Sequence, residues 1–444
     1  MADESRFLEA IVAAPDDDAP RLVFADYLTE QGDPRGELIA LQCQLAAAPD
    51  DDRRRTLLVA ANKLVKANRD AWTAPVIAGV PIPKPGYPTI ELEWKRGMVE
   101  RLELPHTLLS SLPRIMTAAP TIRELVIVSG ANELPIGQLM TRPSIDALAD
   151  MPNLGRLHTL EISLRACGND LARVIARTPS LGNLRRLELH GTATEGVVVY
   201  YQGAHADKVF DDDGVKLLAG AKHLKGLTEL DLQDNRIRNP GLRAIADAGW
   251  KLVDLNVATN GIALTDFTKA ELTALFAKLP GLVKLSLGTN VIHEAAGWLV
   301  GGPHLAKLVE LDIEKGDLSA VGAEKLAKAF ALPALRRLRI DRNSLGDKGA
   351  ASIAGCKALA QLTQLEMGHN RIGAKGGTAI ATSPHLANLE QLNVNEPKWK
   401  DDMKDVFLGS PTLAKTRIYY DGRLLARGDA SKAKPKKKAA TKKR

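Results

Sequence analysis

Aromatic residues make up only 4% of this 444-residue chain, and it holds just three cysteines. So few aromatics argue against a binder built on base stacking or on an aromatic cage. Cys43, Cys167 and Cys356 are odd in number and far apart, as in a reducing compartment where no disulfide framework forms. No apolar run approaches the roughly 18 residues of a membrane span. The amino terminus, Met1-Ala2-Asp3-Glu4-Ser5, is acidic where a secretory signal is basic. These absences predict a soluble, cytoplasmic protein. Hydrophobic residues, at 45%, are ample for a packed core and exclude wholesale disorder.

The formal charge of +7 is unevenly placed. Residues 431–444 carry eight bases (Lys432, Lys434, Lys436, Lys437, Lys438, Lys442, Lys443, Arg444) and no acid. Without them, 52 basic residues stand against 53 acidic ones, a net of −1. The first 75 residues hold 14 acids and 9 bases, a net of −5. A near-neutral body thus has an acidic head and a basic tail, 429–444. A run so charged cannot bury apolar surface and is expected to be disordered.

One pattern recurs along the chain: Leu-x-x-Leu-x-Leu, often followed by x-x-Asn-x-Ile. Clear copies are Leu227-Leu230-Leu232-Asn235-Ile237, Leu282-Leu285-Leu287-Asn290-Ile292 and Leu362-Leu365-Met367-Asn370-Ile372. Counted from the first leucine, late copies at 282, 308, 335, 362 and 389 are spaced by 26, 27, 27 and 27 residues. A fixed period in the twenties with this signature is the leucine-rich repeat. The paired leucines alternate inward on a short strand, and the Asn amide can satisfy backbone groups that a non-sheet turn leaves open. One unit cannot bury its own core, so stability comes from stacking many. The period resembles that of the ribonuclease-inhibitor-like class. That resemblance implies an α/β leucine-rich-repeat solenoid over residues 106–428, with a curved parallel sheet on its concave side and helices on the convex side.

Ahead of the repeats, Phe7, Leu8, Ile11 and Val12 share one helical face. Asp17 or Asp18 can cap a second helix with Pro20 in its first turn; Gly32 would end it near Glu30, and Pro34 can start a third. This predicts a small all-α domain over 1–75. Its residues Phe7-Leu8, Pro15–Asp18, Arg21–Leu28, Gly32–Glu37 and Leu41-Gln42 resemble the bacterial repeat-companion domain, a module found in front of repeats. Tyr27 stands where that family usually has Trp, and the resemblance implies a domain layout rather than a chemistry. Residues 76–105 read as a proline-rich connector and a hairpin turning at Lys95-Arg96-Gly97, which would cap the first open edge of the sheet.

Catalytic signals are poor. There is no Gly-rich phosphate loop and no serine elbow, and His293-Glu294 starts a zinc-protease motif that fails at Gly297. His223, His304 and His385 each precede a repeat's first leucine by four residues. Three repeats separate consecutive members, about 15 Å at roughly 5 Å per strand, too far to share a metal. No enzyme activity, cofactor, metal or small-molecule substrate is expected.

The outward strand positions are the expected partner surface. From Lys284 onward their charges alternate in sign along the rungs, which predicts a salt-bridge ladder. Earlier, Glu188, Glu229, Asp231, Asp234 and Asp254 have few bases beside them, which predicts a site for a cationic partner. The 184→227 spacing of 43 is about 16 residues too long. The extra stretch, 195–210, reads as a protruding hairpin carrying Tyr200 and Tyr201 beside that patch. The composite expectation is a non-enzymatic protein–protein scaffold. The alternative is a nucleic-acid-associated adaptor, tethered without sequence choice through the tail lysines.

Overall fold

In the computed structural model, residues 2–47, 51–82, 89–128, 146, 148–149, 151, 153–163, 168–190, 210–396, 399, 401–420 and 423–426 are described. The chain forms two compact units, Met1–Arg236 with Asp247–Lys251, and Ile237–Ala246 with Leu252–Arg444. Among the described residues no helix is long and apolar enough to cross a membrane.

The first unit begins with four helices: α1 (Ala2–Ala13), α2 (Ala19–Glu30), α3 (Arg35–Ala47) and α4 (Asp51–Thr73). Pro20 occupies the first turn of α2, where its missing N–H costs nothing. Asp17 Oδ1 accepts from Ala19 N at 2.9 Å, while Asp18 holds the cap position without a side-chain cap. Gly32 follows α2 at φ +69°, a left-handed turn that favours glycine. Ile11, Phe24, Ala25, Leu28, Ile39 and Cys43 form the helical core, flanked by Phe7, Leu8 and Tyr27.

That core is completed from outside the helices. Met98 is buried within it, and it belongs to a hairpin of β1 (Glu91–Lys95) and β2 (Met98–Pro105), paired antiparallel. Gly97 (φ +78°) abuts Ile39 so closely that any Cβ there would clash. Gln42 ties the turn down: its Oε1 accepts from Gly97 N at 2.7 Å and its Nε2 donates to Trp94 O at 3.0 Å. The helical head and the hairpin therefore share one core.

From β2 onward the strands run parallel in chain order: β3 (Glu124–Val128), β4 (Thr159–Ser163), β5 (Arg186–His190) and β6 (Glu229–Asp231). β1 lies antiparallel along the other edge of β2, so the first parallel strand has a partner on both sides.

The second unit continues the pattern with β7 (Asp254–Asn256), β8 (Lys284–Ser286), β9 (Glu310–Asp312), β10 (Arg337–Arg339), β11 (Gln364–Glu366) and β12 (Gln391–Asn393), again parallel. β13 (Arg417–Tyr420) joins β12 in parallel, and β14 (Arg423–Ala426) turns back antiparallel. At this end the Tyr420 hydroxyl donates to Glu396 O and Trp399 O, each at 3.1 Å, and its ring stacks on Trp399.

The leucines of each rung point inward and are almost wholly buried, as in Leu285, Leu311, Leu338 and Leu365. Helices such as Ser319–Ala329 and Gly346–Ala354 return each repeat and close its core with Leu326 and Ile353. The repeated asparagines bind the turns together. Asn343 Oδ1 accepts from Gly316 N and Leu318 N, and its Nδ2 donates to Ile313 O and Asp341 O. Asn290 and Asn370 do the same in their own repeats. These bonds supply the buried polar backbone with the partners that three-residue strands cannot.

Candidate protein-binding surface on the strands

Alternation along β2–β6 sends every second side chain away from the leucine core. Register places Arg101, Glu124, Thr159, Arg186 and Glu229 in one outward row, and Glu103, Val126, Glu161, Glu188 and Asp231 in the next. In a third, Ser163 stands opposite His190. Six carboxylates (Glu103, Glu124, Glu161, Glu188, Glu229, Asp231) thus share this face with the guanidiniums of Arg101 and Arg186.

The acidic rungs carry more compensation than their sequence suggests. Arg186 lies between Glu188 and Glu229, 2.8 Å from the latter. His190 Nε2 lies 3.1 Å from Asp231 Oδ1 and 3.5 Å from Glu188 Oε2. Arg101 reaches Glu103 at 3.3 Å and Glu161 at 3.6 Å. Glu188 is only 6% exposed at the centre of this network. Like charges still stack: burial raises the Glu161 pKa and the adjacent Glu188 carboxylate adds to the rise, with Arg101 opposing. Burial pulls the His190 imidazole down, but Asp231, Glu188 and Glu161 outweigh it, so its pKa is raised.

Glu188, His190 and Asp231 are also the grouping with metal-like spacing among the described residues, their ligand atoms lying within 4.8 Å of one another. Arg186 already supplies positive charge to Glu188, and His190 bridges Glu188 and Asp231. Two histidines of the repeated position turn their rings to backbone carbonyls instead. His223 Nε2 meets Ile175 O and His304 Nε2 meets Leu299 O, each at 3.1 Å. His293 packs its Nδ1 against Asp317 O at 2.8 Å.

The remaining residues expected in the patch are placed differently. Asp234 follows β6 in a left-handed turn (φ +61°), a conformation that aspartate tolerates and that Thr289, Arg342 and His369 share in later repeats. Asp254 lies in the second unit, 3.9 Å from Lys284. Tyr200 and Tyr201, and the tail residues Lys432, Lys434, Lys436, Lys437, Lys438, Lys442, Lys443 and Arg444, lie outside the described residues. Sequence reasoning missed the role of His190, although the alternation Arg186-Leu187-Glu188-Leu189-His190 puts it on the outward face.

In the second unit the alternating ladder is present. Lys284 stands 3.9 Å from Asp254 and 4.0 Å from Glu310, and Arg337 is 2.8 Å from Glu310. Arg339 collects Asp312, Glu314, Asp341 and Glu366 at 2.7–3.7 Å. Four carboxylates around Arg339, with Arg342 reaching only Glu314 at 3.8 Å, leave an acidic excess here too, so the charges of this face are only partly paired.

The chain matches the family described as Leucine Rich repeat over residues 223–246, 332–354 and 361–381. It is similar to a chain in the crystal structure of the Rad7 and Elc1 complex in yeast, at 15% identity and a TM-score of 0.44, covering 73% of this chain and 81% of that one. It is also similar to an internalin (inlF) from Listeria monocytogenes, at 16% identity and a TM-score of 0.34, covering 74% and 84%. No curated protein matches it in sequence. Three stretches of the chain thus match the leucine-rich-repeat model, and its fold is an α/β solenoid with an N-terminal helical region.

Proposed function

We propose that the protein is a non-enzymatic scaffold whose strand face in the first unit binds a cationic protein partner. One observation carries this reading: on β2–β6 six carboxylates face two guanidiniums and one histidine, with Lys95 of β1 adding one more base, 2.7 Å from Glu124. A natural fold keeps such an excess more readily when a basic ligand offsets it. Among the described residues the face has no aromatic anchor, so binding is modest in affinity and weakened by salt. The leucine-rich-repeat fold, which generally serves protein–protein interaction, supports the same reading. In the reducing cytoplasm, the helical head acts as an adaptor of the repeat-companion kind. The double reversal Glu229→Lys with Asp231→Lys tests the reading: partner binding is lost while the thermal transition persists.

The tail supports a second reading, attachment to nucleic acid, because eight bases in fourteen residues stand without an acid. Such a tether binds phosphates without sequence choice and fails steeply as salt rises.

A further inference from the structure

The basic residues of the first unit are as unevenly placed as its acids. A cleft of about 530 Å³ lies between the α1–α2 connection and the edge where β3, β4 and β5 begin. Four arginines (Arg21, Arg123, Arg156, Arg185) line it against a single carboxylate, Asp16. Two of the four are committed. Arg21 pairs with Glu100 at 2.6 Å, and Arg123 with the largely exposed Asp16 at 2.8 Å. Among the described residues the other two donate to main-chain oxygens: Arg156 Nη1 to Pro120 O at 3.2 Å, and Arg185 Nη1 to Leu184 O at 3.4 Å. Neither guanidinium has a carboxylate within ion-pair distance among the described residues.

The repeat pattern explains how they meet. Arg123, His158 and Arg185 each follow the first apolar residue of a motif, and their backbones join in one ladder, His158 N to Arg123 O at 2.9 Å and Arg185 N to His158 O at 2.8 Å. In the next four copies that position holds Thr228, Val253, Val283 and Val309. The position is basic in the three rungs that border the head and neutral in the four that follow. The Arg185 guanidinium lies over Gly226, whose missing side chain leaves room for it. Val12, Pro15 and Pro120 give the cleft an apolar flank.

We infer that this cleft is a binding site for a small, multiply charged phosphate compound, with Arg156 and Arg185 as its principal contacts. Planar guanidiniums match phosphate oxygens two at a time. A cleft of this volume suits a small molecule rather than a protein segment, and its apolar flank suits an organic group beside the phosphates. Arg123 adds a third guanidinium, which Asp16 partly neutralises in the empty cleft. His158 stays uncharged there, lowered by burial and by Arg123. This site departs from the expectation that the protein has no small-molecule ligand.

The experiment is calorimetric titration of the full chain with pyrophosphate at constant ionic strength, so that screening is held fixed. One saturable site is expected. Arg156→Gln and Arg185→Gln should each weaken it about tenfold or more, with melting temperatures kept because neither side chain pairs with a carboxylate. Arg336→Gln serves as control: Arg336 holds the same repeat position, bonds only to Pro333 O and Leu335 O, and lies outside the cleft. Asp16→Asn should tighten binding by freeing Arg123, which gives a readout that a folding defect cannot mimic. Absence of saturable binding, equal loss in Arg336→Gln, or binding unaffected by Arg156→Gln and Arg185→Gln would each overturn the inference. The last result would assign the phosphate to the lysine tail, and preference for polyglutamate over pyrophosphate would overturn the ligand class.

Discussion

Arg21 Nη2 sits 2.6 Å from Glu100 Oε1, and the two side chains, 1% and 7% exposed, join α2 to β2 across 79 residues of sequence. Burial raises the Glu100 carboxyl, while Arg21 draws it back down. Removing one member of a buried pair strands the other charge in the core, at a cost of about 3–5 kcal/mol. Glu100→Ala should therefore lower the stability of the first unit by that amount in urea unfolding. The double change Arg21→Met with Glu100→Leu should restore most of the loss, because two apolar groups leave nothing stranded.

A second prediction concerns Asp341 in the second unit. Burial raises its carboxyl to about 6, with Glu366 adding to the rise, while the Gly368 N–H and Arg339 oppose it. The folded value lies above the unfolded one, so the folded state binds the proton more tightly. Stability from this group then falls as pH rises from about 4 to about 6. Asp341→Asn should remove that slope and stabilise the protein at pH 8, by on the order of 1 kcal/mol. Thermal melts of both proteins across pH 4–8, a window of about four units, check it.

His190 should show a slope of the same sign. Its folded pKa is raised by Asp231 and Glu188 despite burial. Its contribution is fully present below the ordinary histidine value and is lost as pH rises through the folded value. The gap in melting temperature between the natural protein and His190→Gln should be wide at low pH and close at high pH. A gap independent of pH would show that His190 does not hold a proton between the two carboxylates.

The asparagine ladder gives a fourth prediction. Asn343 is 1% exposed and bonded to four backbone groups. Asn343→Ala leaves those groups buried without partners, each costing about 1–3 kcal/mol. The total should be on the order of several kcal/mol, against about 1 kcal/mol or less for Gln391→Ala on the outward face. Chemical denaturation compares the two.

What could be read from the sequence was what repeats or signals locally. The leucines at 27-residue spacing, the asparagine turns and the sign alternation from Lys284 onward all follow from a fixed period. Pro20 and Gly32 marked the limits of α2 because turn and first-turn chemistry is local. Contacts between distant stretches carry no such period. Met98 in the helical core and the Arg21–Glu100 pair depend on how the hairpin meets the head. The left-handed turn at Asp234, read as a patch residue, is set by backbone geometry that sequence spacing does not reveal. His190 was passed over because its partner Asp231 lies one rung away across a long insertion. The basic cleft escaped notice because Arg123, Arg156 and Arg185 precede the strands rather than sit on their outward face, and Arg21 comes from α2.

The central claim is that the acidic strand face of the first unit, rather than the lysine tail, holds a protein partner. The most direct test is affinity capture with three full-fold baits at moderate salt: the natural chain, a chain ending at Asp429, and Glu229→Lys with Asp231→Lys. The account predicts that the same protein is captured by the first two and lost from the third. Capture that survives the reversal but disappears with the tail would contradict it.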